Sequence, residues 1–116
     1  MLNQEQQRVL IRNILNTYSK AIDLELLFWT KDQQKEALEI KVKADQLDDT
    51  IIKLRNTNWS MWAGSTVVIE KKIKKNNSNL QSAIRDIQND IKTAQRTVKA
   101  VGYIDDVIRI AAGLLS

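Results

Sequence analysis

Two groups of side chains stand out by type and spacing. Trp59, Met61 and Trp62 lie within a stretch of four residues, and indoles gather this closely where a partner, a membrane boundary or the end of a helical bundle covers them. Lys71, Lys72, Lys74 and Lys75 come soon after Val67, Val68 and Ile69. An apolar cluster beside a lysine block suits an anionic membrane surface, with aliphatic groups in the interface and ammonium groups over the headgroups. It equally suits the last turns of a helix ending near Asn76, Asn77, Ser78 and Asn79, because lysine is favoured at the negative pole of a helix. Trp59, Met61, Trp62, Lys71, Lys72, Lys74 and Lys75 are therefore the candidate contacts with a partner or a membrane.

Nothing comparable points to catalysis. The chain has no His and no Cys, which removes imidazole and thiolate chemistry and most zinc, copper, haem and iron–sulfur sites. The adjacent pairs Asp48–Asp49 and Asp105–Asp106 point in different directions on a helix, so neither forms a carboxylate dyad. Asp45, Asp48 and Asp49 lack the glycine and ligand spacing of a calcium loop. The expectation is a protein without enzymatic activity, cofactor, metal or small-molecule substrate.

The charge is unevenly placed. The formal net charge is +4, yet residues 1–30 and 31–56 each balance acids against bases, while residues 71–99 hold eight bases against Asp86 and Asp90. Arg85, Lys92 and Lys99 fall on one outer line of a continuous helix, with Arg96 beside it. Such a stripe can follow phosphates, but no base-reading or stacking groups accompany it, so nucleic-acid binding ranks below a membrane surface among the possible partners.

The elements that must carry these groups are helices. Pro is absent and only three glycines occur in 116 residues, so the usual punctuation of loops and strands is nearly missing. Apolar residues recur three and four apart, as in a helix packed lengthwise against other helices. One such line runs Ala37, Ile40, Ala44, Leu47, Ile51 and Leu54. Another runs Leu80, Ile84, Ile87, Ile91, Ala94, Val98, Val101, Asp105, Ile108, Ala112 and Leu115, with Asp105 its single polar member. Drift of the helix lifts Asp105 off this line, with Ile104 and Val107 taking its place. Phe28 and Trp29 read as core aromatics. Glu39 with Lys43, and Asp49 with Lys53, have the spacing of ion pairs one turn apart.

The spacing predicts an all-α fold: an elongated antiparallel hairpin or bundle of two to four long helices with coiled-coil-like packing, in a single domain spanning 1–116. Helices are expected at about 3–29, 31–56, 66–76 and 79–115. Thr30 and Gln33 offer a capping box at the second start, while the lack of Gly and Pro before Gly64 also allows one continuous helix from about residue 3 to 55. Gly64, Ser65 and Thr66 mark a break, and Asn76–Asn79 a turn. Surplus apolar residues at 22–29 and 100–115 point to a self-associating structural or protein-interaction module, as a homo-oligomer or with another helical protein. A membrane-surface or membrane-active protein is the alternative, and a nucleic-acid-binding protein the second. The polar first residues MLNQEQQRVL resemble no secretory signal, and no apolar run approaches the roughly 20 residues of a membrane span, so a cytoplasmic protein is expected.

Overall fold

The computed structural model describes residues 4–58 and 66–115. Trp59, Met61, Trp62, Gly64 and Ser65 lie outside the described residues. Four helices follow one another: α1 (Gln4–Thr30), α2 (Gln34–Asn56), α3 (Thr66–Gln88) and α4 (Thr93–Gly113). The all-α fold expected from the spacing is present, as a four-helix bundle measuring 44 × 22 × 18 Å. At 1.5 Å per residue the 27 residues of α1 span about 40 Å, so each helix runs most of the length of the body.

The chain reverses between α1 and α2, which excludes a continuous helix from 3 to 55. Asp32 turns into the left-handed region at φ 57°. The Gln33 N–H then donates to the Phe28 carbonyl at 2.8 Å and the Asp32 N–H to the Trp29 carbonyl at 3.1 Å. These two bonds make a Schellman ending, with Asp in the position usually held by glycine. Thr30 does not cap α2. It is the last residue of α1 and its hydroxyl donates backward to the Leu27 carbonyl at 2.7 Å, while Gln33 takes the N-cap position without a side-chain bond.

The same device ends α3. Asp90 has φ 57°, the Ile91 N–H donates to the Asp86 carbonyl at 2.8 Å, and the Asp90 N–H donates to the Ile87 carbonyl at 3.1 Å. The expected boundaries 66–76 and 79–115 are thus corrected: α3 passes straight through Asn76–Asn79, and the chain turns back at 89–92. The polar run stays helical because its amides find partners. The Asn76 Nδ2 donates to the Lys72 carbonyl one turn back, and the buried Asn77 reaches across to α1.

Polar contacts between helices give the directions. Lys20 meets Gln81 at 3.0 Å and Lys31 meets Asp90 at 2.6 Å, so α1 and α3 run parallel with partners about 60 positions apart. Lys43 meets Asp105 at 2.8 Å, which sets α2 parallel to α4 by a similar offset. The expected Glu39–Lys43 pair is replaced by this bond to the neighbouring helix. Two antiparallel hairpins therefore lie side by side, pointing the same way. α1 and α2 form one broad side of the bundle and α3 and α4 the other.

The core has two parts. Near the turns, Ala21, Leu24, Phe28, Ala37, Ile40, Ala44, Leu80, Ala83, Ile84, Ile87, Ala100 and Ile104 pack together. Toward the opposite end, Leu10, Ile14, Leu47, Ile51, Leu54, Ile73, Val107, Ala111 and Leu114 form the second cluster. Thr17 and Asn77, both buried, separate the two along the α1–α3 contact. The Thr17 hydroxyl and the Asn77 Nδ2 both donate to the Asn13 carbonyl, at 3.2 and 3.0 Å, and the hydroxyl also lies against the Asn77 Oδ1.

Candidate functional site

Two surfaces on opposite sides of the bundle gather the residues that the core does not use. The first is the outer side of α1 and α2. On α1 the residues facing inward are Leu10, Ile14, Thr17, Ala21, Leu24 and Phe28. Asn13, Thr17, Lys20 and Lys31 meet α3 on one flank, which leaves Leu15, Leu26 and Trp29 on the flank beside α2, with the half-buried Ile11 and Ile22 between them. On α2 the inward line is Ala37, Ile40, Ala44, Leu47, Ile51 and Leu54, and Lys43 faces α4, so Ile52 and Leu38 project on the side toward α1 and Val42 points directly away from the core.

Six large apolar side chains are thus exposed on one hairpin, with Leu26 55% and Val42 54% accessible. Phe28 is fully buried as expected, but Trp29 is not a core aromatic. One residue further round the helix, its ring lies at the surface and its Nε1 donates to Glu25 at 3.1 Å. At the start of α1 a crevice of about 450 Å³ brings Arg8, Arg12 and Arg55 together beside Ile11 and Leu15.

The second surface is the groove between α3 and α4. The sequence offers two accounts of Lys71, Lys72, Lys74 and Lys75, a membrane-surface cluster and the end of a helix. These lysines occupy the second and third turns of α3, which continues to Gln88, so the negative pole of the helix does not account for them. The helix also separates them. Lys74 turns toward α1 and pairs with Glu70 at 2.8 Å. Lys72 and Lys75 turn the other way and line a groove of about 470 Å³, with Asn76 and Asn79 beside them and Tyr103, Asp106, Arg109 and Ile110 opposite on α4. Val67 and Val68 are exposed in the first turn of the same helix.

The basic stripe expected along one helix does not form. The reversal at 89–92 puts Arg85 on α3, Lys92 in the turn, and Arg96 and Lys99 on α4, and Arg96 pairs with Asp86 at 2.9 Å. Asp105 leaves the apolar line as expected, with Ile104 and Val107 fully buried in its place. Its partner Lys43 could not be found from the sequence alone, because the two are 62 positions apart and nothing local marks them.

Among the described residues no group of His, Cys, Asp or Glu is placed to hold a metal ion, and no helix is long and apolar enough to cross a membrane. No known protein-family model, curated protein or solved structure matches the chain.

Proposed function

We propose that the protein is a non-enzymatic helical interaction module that self-associates through the outer side of α1 and α2. The observation that carries this reading is the exposure of Leu15, Leu26, Trp29, Leu38, Val42 and Ile52 on one hairpin. Val67, Val68, Ile91 and Val98 are exposed on the other hairpin, but they are spread over the start of α3, the 89–92 turn and α4, as scattered apolar residues ordinarily are, whereas six on the two helices of one hairpin mark an interaction face.

A second copy is the occupant that the charges favour. α1 carries Arg8 and Arg12 against Glu5 in its first turns and Asp23 and Glu25 toward its end, with Asp32 in the turn beyond, where Lys31 is already paired with Asp90. Two copies packed antiparallel about a twofold axis bring Leu15 of each against Leu26 of the other, and the arginines of each toward the acids of the other. A parallel arrangement would oppose like charges. A twofold contact of this kind is self-complementary and closes at two copies. The regular three–four spacing of the α2 seam supports coiled-coil-like packing within the bundle, and the stripe on the outer side extends the same geometry to the second copy.

Light scattering after size exclusion, across a concentration series, tests the reading. The dimer mass is expected at high micromolar concentration, falling toward the monomer on dilution and in high salt. Leu26→Glu and Val42→Glu, both at exposed positions, are expected to give monomers with an unchanged helical circular-dichroism spectrum. A wild-type chain that stays monomeric at the highest concentration would overturn the proposal.

A further inference from the structure

We propose that the groove between α3 and α4 binds a phosphate monoester, with Lys72, Lys75 and Arg109 holding the dianion and Tyr103 and Ile110 lining the place of its organic body. The site goes beyond self-association and lies on the opposite side of the bundle, so the two stand or fall separately.

Charge is the first support. The described part of the first hairpin holds nine bases and nine acids, and that of the second holds nine bases and five acids. Within the groove three cations face one carboxylate, and that carboxylate is engaged: the Arg109 guanidinium lies 3.3 Å from Asp106. Lys72 and Lys75 have no carboxylate partner among the described residues. Lys75 repels Lys72 at three-residue and Lys71 at four-residue spacing, an arrangement that weakens a helix unless an anion offsets it.

Shape and hydrogen bonding are the second. The cations converge on a concavity from two helices, and its volume of about 470 Å³ is within the range of small-ligand sites. The Asn79 amide and the Tyr103 hydroxyl supply neutral donors for phosphate oxygens, and the Tyr103 ring with Ile110 forms an apolar wall. The other grooves are less suited. Between α1 and α3, Lys20 is bonded to Gln81 and Lys74 to Glu70. The arginine crevice lies on the self-association face, where the acids of the second copy account for it. A phosphate monoester also uses Lys72 and Lys75 better than a diester does, because its second negative charge matches two ammonium groups.

Such a phosphate reaches the groove either on a soluble molecule or on a lipid, and the experiment separates the two. Glycerol 3-phosphate is titrated calorimetrically into the full chain at low salt. In parallel, the chain is sedimented with phosphatidylcholine vesicles containing either phosphatidic acid, a monoester, or phosphatidylglycerol, a diester. Binding of glycerol 3-phosphate without preference between the vesicles supports a soluble ligand, and preference for phosphatidic acid supports a lipid headgroup. In whichever assay binds, Lys72→Gln with Lys75→Gln is expected to lower affinity by about tenfold or more, the loss of a charge-assisted contact. Lys71→Gln, which removes a charge from the same helix outside the groove, is expected to change it far less. Asp106→Asn is expected to strengthen binding, since it frees Arg109 and removes the only carboxylate that lines the groove among the described residues. No binding in either assay, equal losses for Lys71→Gln and the groove variants, or weaker binding by Asp106→Asn overturns the proposal.

Discussion

Asn77 shows how one polar side chain can specify a fold at some expense of stability. It lies buried between the two apolar clusters and donates to the Asn13 carbonyl, while Thr17 meets both its oxygen and that same carbonyl. A buried amide left without partners costs about 1–3 kcal/mol, so sliding α3 along α1 is penalised at this point and the parallel pair is held in register. Asn77→Ala is expected to destabilise by about that amount. Thr17→Val with Asn77→Leu, which removes both partners and fills the space, is expected to recover most of the loss, giving a coupling above ~0.5 kcal/mol in a denaturant-unfolding cycle. Additive effects would mean that the two side chains act separately. The pair between Lys43 and Asp105 is different, because both groups are partly exposed and water screens them. Its removal is expected to change stability by less than about 1 kcal/mol.

At the scale of elements, the two turns are built alike without glycine. Asp32 and Asp90 both adopt the left-handed conformation that an L side chain enters at a cost of about 1–2 kcal/mol. Asp32→Gly is therefore expected to stabilise the bundle by about 0.5–1 kcal/mol, net of the added freedom of glycine in the unfolded chain. Denaturation in a Leu26→Glu background, which removes the proposed association, measures it. Asp90→Gly should gain less, because it also gives up the bond to Lys31.

The turn at 89–92 shifts the buried line of α4. The inward residues are Thr97, Ala100, Ile104, Val107, Ala111 and Leu114, each one position before a member of the expected line Val98, Val101, Asp105, Ile108, Ala112 and Leu115. Val98 is 73% exposed. Val98→Ser is expected to be nearly neutral and Ile104→Ala to cost about 2–5 kcal/mol, a contrast that the uninterrupted helix would reverse in part.

The whole molecule presents a neutral side with exposed apolar groups and a basic side with a groove. Surplus apolar area was expected at both 22–29 and 100–115, and the bundle resolves the two differently. In the later segment Ala100, Ile104, Val107, Ala111 and Leu114 are buried against the other helices, whereas in the earlier one Leu26 and Trp29 stay at the surface. The proposed self-association through that surface would make stability depend on concentration. The thermal midpoint of the wild type is expected to rise with protein concentration, and that of Leu26→Glu to stay constant, because mass action favours a folded dimer only where a dimer exists. Parallel behaviour of the two in scanning calorimetry would count against the interface.

Local chemistry settled much of this fold. The absence of proline and the three–four spacing made helices unavoidable, and in α2 all six residues of the expected line are buried, since one unbroken helix keeps its phase throughout. The break after Asn56 was legible from its Asn and Gly residues. That Asp105 leaves the core was expected from helix drift, but the displacement is already complete at Thr97 and comes from the turn at 89–92. The second reversal was not legible. The three–four rhythm passes through Ile87, Ile91 and Ala94 as if no turn were there, and the turn uses Asp90 and Lys92 where a glycine would have announced it. Asn76–Asn79 carried the opposite false signal, because the partners that keep Asn77 in a helix belong to α1, more than 60 residues earlier. The division of the lysine block between two grooves was likewise decided by which helices flank α3. Periodicity along a chain reports which face of a helix is turned inward, but the neighbour that face meets is chosen by contacts distant in sequence, and the exposed surfaces are what those choices leave uncovered.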